Sequence, residues 1–226
     1  MYETVKRNLK YVITTQYVEE LLDEVAVENG NLVNSVKSKY GDKIIFTIKT
    51  VLASLLEEPV SIRDIIGILE VLYYSEQNDA VVLSELARHI LGHAIISNIC
   101  DGDELNVIGI SGETTSYILK HCGNEKCERK FIDDFFSKTY NTVTEVNNKD
   151  ILPVILVPDE IRKTMWRLLA LSIPDITVIS LSEVTTAMEK SASLMVNTVA
   201  EISVDISCMD EDKTNPPEVY ITNEGR

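Results

Sequence analysis

In the first part of the chain, apolar positions recur at helical spacing. Val18, Leu21, Leu22 and Val25 share one face of a run that Thr14–Thr15 open, with Gly30 as its break, so residues 3–39 read as helical. In "GDKIIFTIKTVLASLLEE", Ile48, Val51, Leu52, Leu55 and Leu56 form the next stripe. A helix from Ile62 carries Ile65, Ile66, Leu69, Leu72 and Tyr73. Another, over 80–99, is expected to bury Leu83, Leu86, Ala87, Ile90 and Ala94. Adjacent amphipathic helices on short links predict a helical subdomain. Between them, Ser61 reads as an N-cap, Asp64 as the acidic half of a capping box, and Val60 with Ile65 as a hydrophobic staple. Arg63 is left pointing outward without a local duty.

The period then changes. "ELNVIGI" (104–110), "PVILV" (153–157), "ITVISL" (176–181) and "SLMVNTVAEI" (193–202) are β-rich. Helices over 113–122 and 128–144 connect the first to the second, and Ser111 or Glu113 starts the former. Between the second and third lies "PDEIRKTMWRLLALSIPD", an amphipathic helix, so strand, helix and strand form a βαβ unit. On that helix Ile161, Met165, Leu168 and Ser172 form the expected inward line. Trp166 stands about 100° away, with Ala170, Arg162 and Lys163 on its outer side. Trp166 either packs on a neighbouring subdomain or anchors a partner. The fold class is therefore α+β, or mixed: a helical subdomain, then a small α/β subdomain with a βαβ unit and a mixed sheet.

Composition narrows the function. The 226 residues carry 21 basic and 36 acidic side chains, a net charge of −15. Such a surface repels phosphate backbones and anionic lipid, so no nucleic acid and no membrane surface is expected as a partner. With 45% hydrophobic residues the chain can bury a core. The longest aliphatic run, "ILPVILV" (151–157), falls far short of the ~20 residues of a membrane span, and "MYETVKRNLK" has no apolar leader. A soluble chain with free thiols at Cys100, Cys122, Cys127 and Cys208 is expected.

Candidate chemistry is sparse. His89 and His93 stand at i, i+4 with Glu85 one turn earlier, a spacing that could hold a metal, but HExxH is absent and a boundary position is the simpler reading. His121, Cys122 and Cys127 lack a further ligand with suitable spacing. "ISGETTS" (110–116) lacks the phosphate-binding glycine patterns, and no GxSxG is present. Catalytic, cofactor-binding and metal-binding residues are all read as none. A hydrolase-type enzyme would need a polar pocket at the strands' carboxyl ends, near Pro158–Asp159 or Ser180–Ser182, which read more simply as helix caps.

Three blocks carry a resemblance. "TVLASLLEEPVSIRDIIGILEVL" is similar to VLxxLLxExVxIRDxxxILExL, "LSELARHILGHAI" to TExVRxxLxRxI, and "PVILVPDEIRKTMWRLLALSIPDITVISLSEV" to PVLLVxxxLRxxLRRLLExSxPDLxVLSxxEI. These patterns are those of the FHIPEP family, the export-gate proteins of flagellar and virulence type III secretion, and the resemblance covers about residues 5–203.

It implies a fragment of the C-terminal cytoplasmic half, whose membrane-spanning half and second subdomain are missing. Residues 1–43 would end the first cytoplasmic subdomain, 44–101 form the third and 102–206 the fourth, with 207–226 an acidic flexible tail. The family's role is non-enzymatic: a nonameric ring under the secretion channel that receives secretion chaperones with their substrates. It works with the export ATPase complex and the switch protein, on the cytoplasmic face of the inner membrane. Membrane attachment would run only through the missing half, and no cofactor is implied. Arg63, Asp64, Glu85, Arg88, Arg162 and Trp166 are the candidate subunit or partner contacts, against the plainer reading of internal pairing and capping. Pro59 stands where the family often has Gly. Trp166, Ala170 and Leu171 replace positions usually charged, a divergence that favours the virulence branch. A stand-alone adaptor binding a secretion chaperone is the alternative.

Overall fold

The structure, a computed structural model, describes residues 12–121, 128–173 and 176–207. The expected acidic tail beyond these, together with Cys122, Cys127 and Cys208, lies outside the described residues. Cys100 is a free thiol whose pKa burial, with help from Asp103, pushes up.

Four helices come first: α1 (Thr15–Tyr40), α2 (Ile44–Glu57), α3 (Ile65–Tyr74) and α4 (Ala80–Ser97). Thr14 caps α1 by accepting from the Tyr17 N–H at 3.0 Å. Gly30 does not end α1. The break shrinks to a kink at Asn29 (φ −121°, ψ 39°) and the helix runs on to Gly41, whose φ of 55° closes it. Val33 and Val36 beyond the kink are buried with Val18 and Leu22 before it, so one apolar stripe holds both halves.

α3 starts three residues later than the sequence implies. Asp64, not Ser61, is its N-cap, accepting from the Gly67 N–H at 3.0 Å. The cause lies in the link: Val60 is buried and Ile62 half-buried against the core, so the chain through Arg63 stays outside the helix. Gly67 makes room for this cap, since a Cβ there would lie 2.7 Å from an Asp64 carboxylate oxygen. At the other end, the Lys39 ammonium of α1 donates to the carbonyls of Leu72 (2.8 Å), Tyr73 (2.9 Å) and Ser75, capping α3 with a charge. α4 buries Leu83, Ala87, Leu91 and Ile95, whereas Ala94 faces solvent.

The second half alternates strands and helices: β1 (Glu104–Ile110), α5 (Gly112–His121), α6 (Arg129–Asn147), β2 (Val154–Val157), α7 (Asp159–Ala170), β3 (Thr177–Ser180), α8 (Leu181–Lys190) and β4 (Met195–Ile202). Strand order is β3-β2-β1-β4 and every pairing is parallel, so the sheet is not mixed as expected. The physical reason is α8, a crossover helix between β3 and β4 that the strand pattern alone did not reveal. A β-bulge between Val107 and Ile108 lets β1 keep register with both neighbours.

A parallel sheet must be covered on both faces. Ile108, Ile155, Val157 and Val178 face α5, α6 and α7, with Phe131, Phe135, Met165 and Leu169 filling that layer. Leu105, Val107, Val154 and Ile179 point the other way, into a core they share with α8 and the first helices. The helical layer thus serves as the second cover of the sheet.

Candidate functional site

The junction between the helical layer and the sheet half is where charge gathers. The C-terminal end of α2 delivers Glu58, and α4 delivers Glu85 and Arg88. The first turns of α7 deliver Arg162 and Lys163, and the third residue of α8 delivers Glu183.

Arg162 holds the centre. Its Nε and Nη2 donate to the two Glu85 oxygens at 2.5 and 2.6 Å, and its Nη1 and Nη2 to the Glu58 oxygens at 2.5 and 3.1 Å. Both pairs are bidentate, the geometry a guanidinium is shaped for. Arg88 donates through Nε to Glu183 at 2.5 Å and through Nη1 to Glu58 at 3.1 Å. Lys163 donates to Glu58 at 2.6 Å and to the Ser54 hydroxyl at 3.1 Å. Three cations therefore meet three carboxylates, and the cluster is neutral.

Burial makes that balance necessary. Arg162, Arg88 and Glu183 are 1%, 3% and 0% exposed. Charges so placed lose several kcal/mol each in hydration unless partners return it. Burial alone would raise the Glu58 pKa, but Arg88, Arg162 and Lys163 outweigh it and hold it at about 2 instead of 4.5. The same carboxylates push the Arg162 pKa upward against burial. Glu58 also sits at a helix C-terminus, where a carboxylate is disfavoured by the helix dipole, so the cations hold it there.

Local structure aims each group. Glu183 belongs to a capping box: one of its oxygens accepts from the Ser180 N–H at 3.1 Å, leaving the other for Arg88. Gly92 lets α4 come close enough for that contact. A Cβ there would lie 2.6 Å from the Glu183 carbonyl oxygen and 2.9 Å from its Cα. At the cluster's edge the Asp159 carboxylate accepts from the Ser182 hydroxyl at 2.8 Å and lies 3.2 Å from His89 Nε2. Burial would raise the Asp159 pKa, but the Ser180 and Ser182 hydroxyls and the His89 charge lower it.

The sequence-derived contact residues divide accordingly. Glu85, Arg88 and Arg162 come together, inside the molecule. Asp64 caps α3 and Arg63 beside it is exposed. Trp166 is half-buried on the core of the sheet half, with the Lys163 ammonium 4.8 Å from its ring centroid. The expectation that Arg162 and Lys163 lie outward is corrected. α7 is covered on two sides, by the sheet core along Ile161, Met165 and Leu169 and by the ion cluster along Arg162 and Lys163. Leu168 is only half-buried and Ser172 is exposed. His93 is half-buried, and His121 Nδ1 is 3.1 Å from the Tyr117 carbonyl oxygen at the end of α5.

The sequence reading set Lys163 outward and did not count Glu58 or Glu183 among the contact residues. A signal for the two acids was present: Glu58 is the fixed acid of LLxE, and Glu183 that of LSxxE. Glu85 and Arg88 fill the TExVR pattern and Arg162 the LR pattern, so charges fixed in separate blocks meet in one cluster.

The helical layer and the parallel sheet are thus joined through one buried ion cluster. The sequence profile of the FHIPEP family matches residues 1–189, and the chain belongs to that family. The flagellar biosynthesis protein FlhA of Borreliella burgdorferi is 28% identical over 193 residues, covering 81% of this chain and 27% of that protein. The chain thus spans about a quarter of the length of such curated relatives. The structure of the Shigella flexneri MxiA protein superposes with a TM-score of 0.76 at 24% identity, covering 88% of this chain and 63% of that one. The nonameric EPEC SctV-C gives a TM-score of 0.74 at 22% identity, covering 89% and 60%. At these identities the likeness is one of fold.

Proposed function

We propose that this chain is the ring-forming cytoplasmic portion of a type III export gate, a scaffold on which chaperone–substrate complexes dock during protein export. Family membership supports the export-gate reading, and the likeness to a chain that assembles as a nonamer carries the ring. A scaffold rather than an enzyme fits the use made of the buried charges: Arg88, Arg162 and Lys163 are each engaged by carboxylates. The export ATPase complex and the switch protein are the further partners of this reading. Attachment to the inner membrane would come through a portion outside this chain.

With Glu85, Arg88 and Arg162 occupied internally, Arg63 is the member of the contact set left for a neighbouring subunit. The curated flagellar relatives weigh toward the flagellar branch, while the apolar Trp166, Ala170 and Leu171 face is what supports the virulence branch. Electron microscopy of the protein tethered by its N-terminus to a lipid monolayer tests the ring directly. Rings or arcs are expected, and strictly monomeric particles at high surface density would overturn the proposal.

A further inference from the structure

A second feature lies on the outer side of the helical layer. Between the first half of α1 and the start of α3 runs an open groove of about 440 Å³. Its floor is Leu21, Val25, Ile65, Ile66 and Val27, of which Ile66 is 40% and Val27 85% exposed. Val27 stands just before the kink at Asn29, where the turning helix opens the groove's end. Large aliphatic side chains in such a setting are costly to leave in water.

The banks have one dominant sign. Glu24 and Glu28 line the groove on the α1 side. They belong to a helix half, Thr15–Gly30, that holds Glu19, Glu20, Asp23, Glu24 and Glu28, all exposed, and no Lys or Arg. On α3, Glu70 follows Ile66 by one helical turn and is exposed as well. Arg63 and Asp64, before α3, cancel one another in charge. Unlike those at the junction, these carboxylates form no ion pair among the described residues, and the field over the floor is negative.

We infer that this groove docks an amphipathic helical segment of another protein, with aliphatic anchors at i, i+3 and i+4 and Lys or Arg along its edges. The aliphatic floor selects the anchors, and the acidic banks select the basic edges and repel acidic helices. The α1 of a second copy is a poor occupant, because it carries the same carboxylates.

The test uses short synthetic helices as probes, one with Leu on one face and Lys on the other, and a second with Glu replacing each Lys. Titration by fluorescence anisotropy at two salt concentrations reads the affinity. The Lys helix is expected to bind saturably with one site and the Glu helix not to bind. Val27→Gln with Ile66→Gln should weaken binding at least about tenfold, with unchanged melting temperature because both side chains are exposed. Glu24→Lys with Glu28→Lys should weaken the Lys helix and admit the Glu helix. Equal binding of the Lys helix to the Val27→Gln, Ile66→Gln variant would overturn the inference by placing the contact on general surface charge. So would the absence of saturable binding. Self-association of the parent chain that Val27→Gln abolishes, seen by sedimentation, would hand the groove to a second copy and overturn it likewise.

Discussion

The junction and the outer groove are built from the same materials, carboxylates set beside aliphatic side chains, and they differ in what closes over them. At the junction, Glu58, Glu85 and Glu183 are matched by Arg88, Arg162 and Lys163 and covered by the packing of α2, α4, α7 and α8. In the groove, Glu24 and Glu28 flank an apolar floor that stays open. Pairing turns charge into a joint between layers, because a buried ion tolerates only the arrangement that supplies its counter-ions. Unpaired charge of one sign leaves a surface with a preference for what may cover it. Substitutions should therefore be felt in stability at the first and in binding at the second.

The largest effect is expected at Glu58, which holds all three cations of the joint. Glu58→Ala should lower the free energy of unfolding by about 3–5 kcal/mol in urea denaturation, because Arg88, Arg162 and Lys163 remain buried with less compensation. A loss no larger than that of an exposed ion pair would erase the distinction between the two regions.

Acid should act through the same carboxylate. The folded pKa of Glu58, about 2, lies below its ordinary 4.5. A depressed carboxylate stabilises the fold fully above its unfolded pKa, and that contribution disappears as pH falls through its folded pKa. The window is therefore about pH 4.5 to 2, and the contribution is roughly 3 kcal/mol. Urea curves across that window should show the loss, and Glu58→Gln should flatten it.

Next comes the close approach of α4 to α8. Gly92→Ala gains helix propensity, but its methyl would meet the Glu183 backbone at 2.6 Å, and backbone cannot rotate away. A destabilisation of about 2 kcal/mol is expected from thermal melts. The smallest effect separates two readings of one turn: Asp64→Ala should cost about 1 kcal/mol as a lost N-cap, while Ser61→Ala leaves the melting temperature in place.

The sequence carried the helical stripes and all four strands because their periods are local properties. It carried less where local preference competes with the rest of the fold. Ser61 and Asp64 are both good caps, and burial of Val60 and Ile62 chose between them. Gly30 is a helix breaker by preference, yet Val33 and Val36 beyond it are worth enough in the core to carry the helix through. α8 was missed because the strand β3 runs directly into its cap at Ser180, with no intervening loop to announce it. The ion cluster was illegible by spacing, since Arg162 and Glu58 lie 104 positions apart. Surface helices and buried joints use the same charged residues. The family patterns carry Glu58, Glu85, Arg88, Arg162 and Glu183 in separate blocks, and only the fold shows them to be one set.

The central claim is that these charges form a single coupled joint holding the helical layer to the sheet. A double-mutant cycle on Glu58→Gln and Arg162→Met, read by urea denaturation at neutral pH, tests it most directly. The account predicts that the double variant is more stable than the sum of the single losses implies, by about 2 kcal/mol or more. Losses that simply add, within about 0.5 kcal/mol, would show that the two side chains do not act on one another and would contradict it.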